Sequence, residues 1–291
     1  MKTKKEHCGK IAIIGDQNSG KSTLMNILIK KKISITSKKK NTTQQNITGI
    51  KTKKKYQFIY IDTPGFKKRE KNKKYSIKKI INFQNYIFKD LTIVLLVIEK
   101  TFFNNNHINI INLLKKKKIP IIIIINKSDK IKKKNILLPF IKYLNKQLNI
   151  KKIIPCSAKT GENIKILKKI IKKYIPIKKH IYKNNVNDNL SLKFKIHEII
   201  REKIMRYFGD ELPYTINIKI FSIKENIKKE MIIKTFIYLK HERQKKIFIG
   251  KNGEKIKLLS LLTKKSLEKI LLKKIHLYIW IKYKKNYQKC L

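Results

Sequence analysis

Acidic residues are scarce in this chain: 18 Asp and Glu stand against 73 Lys and Arg over 291 residues, a formal net charge of +55. That imbalance excludes an ordinary mixed surface and points to a polyanionic partner, nucleic acid or an anionic membrane face. Arginine is nearly missing too, present only as Arg69, Arg201, Arg206 and Arg243. Lys, Ile and Asn are the residues of A/T-rich codons, so codon drift supplies part of the charge, and the placement of the basic residues must decide. Cysteine occurs only at Cys8, Cys156 and Cys290, far apart and without a C-x-x-C pair. This excludes a disulfide framework or a thiolate zinc site and fits a reducing compartment. The six His are scattered without H-E-x-x-H spacing and read as ordinary core or surface residues. Long apolar runs are missing: "LTIVLLVI" and "IPIIIIIN" fall well short of the ~20 residues that span a bilayer. "IAIIG" is too short for the core of a signal peptide. The expectation is a soluble, cytoplasmic protein long enough for two domains.

Short β-branched runs alternate with helix-length segments from residue 10 to about residue 175. Strands are expected at Lys10 to Gly15, Gln57 to Asp62, Leu91 to Ile98, Ile119 to Asn126 and Lys152 to Cys156. Near-continuous apolar runs of this kind suit strands covered on both faces, hence a mostly parallel α/β sheet with helices on both sides. Ile47 to Lys55, a short turn before the second strand, is expected to be an antiparallel edge. "YIPIKKHIYKNNVNDNLS" loses the periodicity and reads as a linker. The domains are therefore taken as 1–175, a linker at 176–191, and an α+β module at 192–291. In the last, a helical stripe runs from Phe194 to Phe208 and stops at Gly209. Strands at Tyr214 to Ile223 and Met231 to Leu239 follow, then two helices around "FIGKNGEKIK", then a strand at Ile275 to Tyr283.

"GDQNSGKS", Gly15 to Ser22, fits G-x-x-x-x-G-K-[ST] and sits after a strand and before a helix. Backbone N–H groups here can wrap a diphosphate, the helix N-terminus adds positive potential, and Lys21 can reach the β and γ phosphates. Ser22 is the expected Mg²⁺ ligand. The loop thus offers Gly15, Asp16, Gln17, Asn18, Ser19, Gly20, Lys21, Ser22 and Thr23 to a nucleotide. "DTPGF" adds Asp62, Thr63, Pro64, Gly65 and Phe66, with Asp62 placed to hold Mg²⁺ through water and the Gly65 N–H to meet a γ-phosphate. "NKSD" adds Asn126, Lys127, Ser128 and Asp129. The Asp129 carboxylate can accept from N1–H and N2–H₂ of guanine, donors that adenine lacks. "SAK" adds Ser157, Ala158 and Lys159, with the Ala158 N–H available to guanine O6.

These four motifs, each at the carboxyl end of an expected strand, converge on one crevice. Their order resembles that of the P-loop GTPases, which implies GTP and GDP as ligands and a first switch at Asn41, Thr42, Thr43, Gln44 and Gln45. Thr43, or its neighbour Thr42, would complete the Mg²⁺ shell; Thr43 is favoured. Phe66 stands where many GTPases carry a water-orienting Gln, so no catalytic residue is assigned and slow turnover is expected. In the subgroup with an apolar residue there, an Asn at the Asn18 position helps to bind K⁺.

In the C-terminal module, "IFIGKNGEKIK" places G-x-x-G between two helices among lysines. Glycines there let backbone N–H groups approach a nucleic-acid backbone, as in KH modules. The candidate RNA contacts are Ile249, Gly250, Lys251, Asn252, Gly253, Lys255 and Lys257. A GTPase domain followed by a type II KH domain, with "EIIREKIMRYFGDELPY" and "HLYIWIK", resembles the Era family of bacterial ribosome-assembly GTPases over almost the entire chain. The resemblance implies Mg-dependent GTP hydrolysis, binding of the 3′ end of 16S ribosomal RNA, assistance to 30S subunit assembly, a monomer, and weak peripheral association with the inner face of the cell membrane. Two alternatives compete with it: an RNA-binding chaperone whose G domain no longer hydrolyses GTP, and a membrane-surface GTPase. The loop departs from the family at Asp16, Gln17 and Ser19, where Arg-Pro and Val are usual.

Overall fold

The structure, a computed structural model, describes residues 5–36, 46–65, 90–208 and 216–283. It divides into two compact units that part between Asn189 and Leu190. Strand β1 (His7–Gly15) leads through a loop into helix α1 (Lys21–Ile29), which ends where Lys30 turns left-handed at φ 64°. The antiparallel pair β2 (Ile47–Lys53) and β3 (Tyr56–Asp62) follows, then β4 (Leu91–Glu99), α2 (Asn105–Lys116), β5 (Ile121–Asn126), α3 (Leu137–Leu148), β6 (Ile153–Pro155) and α4 (Ile164–Tyr174). The sheet order is β2-β3-β1-β4-β5-β6, parallel except for β2. Ile122 to Ile125 are fully buried, as a β-branched run covered on both faces requires. The carboxyl ends of β1, β3, β5 and β6 carry the four motifs.

The segment expected to be a linker bonds to this sheet. Pro176 O accepts from Cys8 N at 3.2 Å and Asn187 O from Ile50 N at 2.6 Å. The buried Gln57 side chain accepts from Ile181 N and Tyr182 N at 2.9 and 3.0 Å and donates to Tyr182 O at 2.7 Å. An edge strand exposes unpaired backbone groups, and this segment satisfies some of them.

The second unit opens with α5 (Leu192–Tyr207), capped by Ser191, whose hydroxyl accepts from Phe194 N at 3.2 Å. Then come β7 (Ile216–Glu225), β8 (Met231–Leu239), α6 (Arg243–Ile249), α7 (Glu254–Leu271) and β9 (Ile275–Tyr283). Strand β8 pairs antiparallel with β7 and parallel with β9. The helices cover one face of this sheet, with Ile200, Ile233, Ile237, Phe248, Leu267 and Ile275 in the core. The helix, strand, strand, helix, helix, strand order is the one its sequence implies.

Candidate functional site

At the phosphate end, the carbonyl of Asp16 organises the loop after β1. It accepts from Lys21 Nζ at 2.7 Å and from Ser19 Oγ at 2.9 Å. Burial pushes the Lys21 ammonium down to about 8, only partly offset by the Asp62 and Asp16 carboxylates. A cation held so dry favours an incoming anion strongly. The Asp62 carboxylate, fully buried at the end of β3, accepts from Ser22 Oγ at 2.6 Å and from Ser34 Oγ at 2.8 Å. Ser34 is fixed in turn by Asn26, whose Oδ1 takes the N–H groups of Ile33 and Ser34 and whose Nδ2 donates to Ser34 O. Thr63 faces inward, its hydroxyl donating to Ile13 O at 2.9 Å. Gly65 lies against the loop: a Cβ there would sit 2.7 Å from the Gln17 nitrogen and 2.9 Å from Lys21 Nζ. Asn18 is half-buried in the left-handed region at φ 63°, a conformation Asn tolerates.

At the other end, Asn126 closes β5 and joins the two halves of the crevice. Its Nδ2 donates to Ser19 O at 2.7 Å and its Oδ1 accepts from Ala158 N at 3.0 Å. The Ala158 N–H expected at guanine O6 is thus held by Asn126 and would have to be shared with the base. Asp129 is exposed and accepts from Ser157 Oγ at 2.6 Å, while Ser157 Oγ accepts from Thr160 N at 3.1 Å. Lys127 is left-handed at φ 63° and pairs with Glu99 at 2.8 Å. Ser128 Oγ donates to Glu162 at 2.7 Å, which with Lys134 holds the Glu162 carboxyl below its usual range. Lys159 is exposed beside this end.

In the second unit, Gly250 and Gly253 both have φ +76° and bracket Asn252, also left-handed at φ 50°. These dihedrals turn the chain from α6 into α7 in four residues, a path side chains at both glycine positions would strain. Lys251, Asn252, Lys255 and Lys257 are exposed around the turn, with Ile249 half-buried. Phe248 stacks on Phe208 at 4.2 Å and anchors the approach.

Residues 10–127 match the family described as a 50S ribosome-binding GTPase, and residues 211–288 match the KH domain. The chain is 47% identical over 285 residues to the GTPase Era of Buchnera aphidicola subsp. Schizaphis graminum, covering 98% of this chain and 99% of that one. It is 39% identical to the GTPase Era of Glaesserella parasuis, with 98% and 94% covered. The chain belongs to the Era family of GTPases. Era from Aquifex aeolicus bound to GDP·AlF4⁻ superposes with a TM-score of 0.87 at 31% identity, covering 96% of this chain and 95% of that one. A second Era structure, in complex with MgGDPNP and nucleotides 1506–1542 of 16S ribosomal RNA, gives the same TM-score and identity over 97% and 95%. As in the Era family, the first unit is a P-loop GTPase domain and the second a type II KH domain.

Several contacts that shape this Era-family site are silent in the sequence. Asp16 is 4% exposed and lies 3.2 Å from Nε2 of the fully buried His107 in α2. His107 Nδ1 accepts from Asn104 N at 3.1 Å, which puts the ring hydrogen of the neutral imidazole on Nε2. Ser34, Asn26 and Glu162 likewise act through other side chains. The first-switch residues Asn41 to Gln45, Thr42 and Thr43 among them, and Phe66 lie outside the described residues.

Proposed function

We propose that the chain is a GTP-binding and GTP-hydrolysing switch that binds the 3′ end of small-subunit ribosomal RNA and assists assembly of the 30S subunit. One observation supports the nucleotide reading above the others: Asn126 bonds both the phosphate loop at Ser19 and the base loop at Ala158. The crevice is therefore braced at a length set by one amide. In this reading residues 1–175 are the GTPase domain, 176–191 the linker and 192–291 the RNA-binding domain. Gly15 to Thr23, Asp62 to Phe66, Asn126 to Asp129 and Ser157 to Lys159 contact the nucleotide. The ribosomal RNA assignment draws on the solved Era bound to nucleotides 1506–1542 of 16S ribosomal RNA. Ile249 to Gly253, Lys255 and Lys257 are its proposed contacts.

Oxygen atoms of Ser22, Ser34 and the buried Asp62 converge, a donor set suited to a hard divalent cation. Ser22, Thr43 and, through water, Asp62 would hold Mg²⁺, which when bound neutralises charge on the β and γ phosphate oxygens. Asn18 would help to hold K⁺, and Thr63 and Phe66 would line the γ side. The protein is taken as a cytoplasmic monomer with weak contact to the inner face of the membrane.

Calorimetric titration of the full chain with GTP and ATP tests the base assignment. GTP should bind far more tightly, and Asp129→Asn should erase the preference; equal binding of both nucleotides by the unmodified protein sinks it. Phosphate release in KCl and in NaCl, with small subunits present, tests hydrolysis and the K⁺ site together. No turnover in either salt would favour the chaperone, and equal turnover would remove K⁺. For the RNA contact, Lys251→Asp with Asn252→Asp should weaken binding of the 16S 3′ segment and spare GTP hydrolysis.

A further inference from the structure

The KH domain presents a second face that the Gly250–Gly253 loop does not use. Among the described residues, helices cover one side of the β7-β8-β9 sheet, and the opposite side carries aromatic residues where a solvated face would be polar. Phe221 is 65% exposed, Tyr278 48% and Trp280 41%. They form one cluster: Trp280 lies 5.4 Å from Phe236 and 6.0 Å from Tyr278, and Phe221 meets Phe236 edge-on at 5.6 Å. The register explains why. Phe236 is opposite Trp280 across the β8-β9 pair and opposite Lys219 across the β7-β8 pair. The register shift between Ile220 and Ser222 coincides with Phe221, and such bulges re-aim a side chain.

The charge on this face has one sign. Lys219, Lys234 and Lys282 are exposed among the rings, and Lys282 Nζ sits 4.4 Å from the Phe236 centroid. The acids at the far end of the sheet are matched, Glu225 by Lys273 at 2.8 Å and Glu230 by Lys274 at 2.9 Å and His276 at 2.8 Å. A sheet face with exposed rings and interleaved cations is the chemistry that takes single-stranded nucleic acid, bases on the rings and phosphates on the lysines.

We propose that the open face of the β7-β8-β9 sheet is a second RNA site, stacking unpaired bases on Trp280, Phe236 and Phe221 without sequence preference. It would hold a single-stranded segment separately from the strand clamped at the glycine loop. A protein surface of this kind would show acids for lysine partners, and the charge complementarity favours RNA.

Trp280 is the chain's only tryptophan, so its emission reports this face alone. The full chain, saturated with GDP, is titrated with a short fluorescein-labelled oligouridylate, following label anisotropy and, with unlabelled RNA, tryptophan emission. Binding should quench Trp280 saturably, and the quench should persist in the Lys251→Asp, Asn252→Asp variant. Phe221→Ser, at an exposed position, should weaken the quenching event about 5- to 100-fold. Lys219→Gln should lower the slope of log affinity against log salt by about 0.7. Oligouridylate binding with unchanged Trp280 emission overturns the proposal, as does a quench that vanishes in the loop variant. Self-association lost in Phe221→Ser, with no quench, would make the face a protein interface and also overturn it. The loop assignment fails by a separate result, wild-type affinity of the loop variant for the 16S 3′ segment.

Discussion

Replacing Asn126 tests whether one amide brace makes a single nucleotide site out of two loops. The side chain is 2% exposed, and its two partners, Ser19 and Ala158, are 0% and 6% exposed. Asn126→Ala removes the 2.7 Å bond to Ser19 O and the 3.0 Å bond from Ala158 N, leaving both backbone groups where water has little access. An unpaired buried polar group costs about 1–3 kcal/mol, so the two together cost about 2–6 kcal/mol, less whatever water the new space admits. Asn126→Asp is the sharper variant. It keeps an acceptor for Ala158 N but sets a carboxylate oxygen against Ser19 O, so the phosphate-loop half of the brace fails at no less than about 1–3 kcal/mol, and burial of the new charge adds to that.

The assay separates a structural brace from a functional one. Urea unfolding gives the stability change of each variant, and calorimetry gives affinities for GTP, for guanosine and for pyrophosphate. GTP spans both loops and each fragment touches one, so a brace that sets the spacing should make the loss for GTP exceed the summed losses for the fragments. We expect GTP affinity to fall at least about tenfold in Asn126→Ala, since ~1.4 kcal/mol of the cost in binding alone gives that factor. Unchanged GTP affinity in both variants, with stability lowered by the stated amount, would refute the brace as a functional element.

Ser157→Ala should weaken GTP binding about 3- to 10-fold by freeing the exposed Asp129 carboxylate from its 2.6 Å bond, with little change in melting temperature. A stability loss without an affinity loss would contradict that. His107→Ala leaves the buried Asp16 carboxylate without the imidazole at 3.2 Å and should destabilise the protein by about 3 kcal/mol. Adding Asp16→Ala should recover part of this in a double-mutant cycle by chemical denaturation, and strict additivity would refute the coupling. Lys21, lowered to about 8 while free, regains its ordinary range against phosphates. The bound state then holds more protons than the free state above that value, so GTP affinity should fall as pH rises past 8. About half a proton should be taken up per nucleotide at pH 8. Calorimetry in buffers of differing ionisation enthalpy measures this, and zero uptake would contradict it.

The elements that sequence revealed are those whose cause is local. Five consecutive Ile at positions 121–125 can only be a strand buried on both faces, and Gly20-Lys21-Ser22 after an apolar strand can only open a helix toward an anion. Asp62 and Asn126 end such strands and Asp129 follows three residues after the second, so placing the strand places the side chain. The bonds of the Pro176 to Asn187 segment are not legible in sequence because they go to β1 and β2 and to Gln57, partners that no period within "YIPIKKHIYKNNVNDN" encodes.

Asp16 marks the same boundary from within the strongest motif. Its position in the phosphate loop is variable, and nothing in the sequence pairs it with one scattered histidine over another. The signals are separate and individually weak: a carboxylate within the phosphate loop, and Asn104 three residues before His107, a spacing that forms a helix cap. The cap orients the ring by taking its Nδ1, and only the fold brings Nε2 to the loop. The buried Asp16 carboxylate thus lies 3.2 Å from a histidine nitrogen supplied by the core of α2. Substitutions at variable positions of a phosphate loop are therefore constrained through the element packed behind the loop, and a partner for each should be sought there.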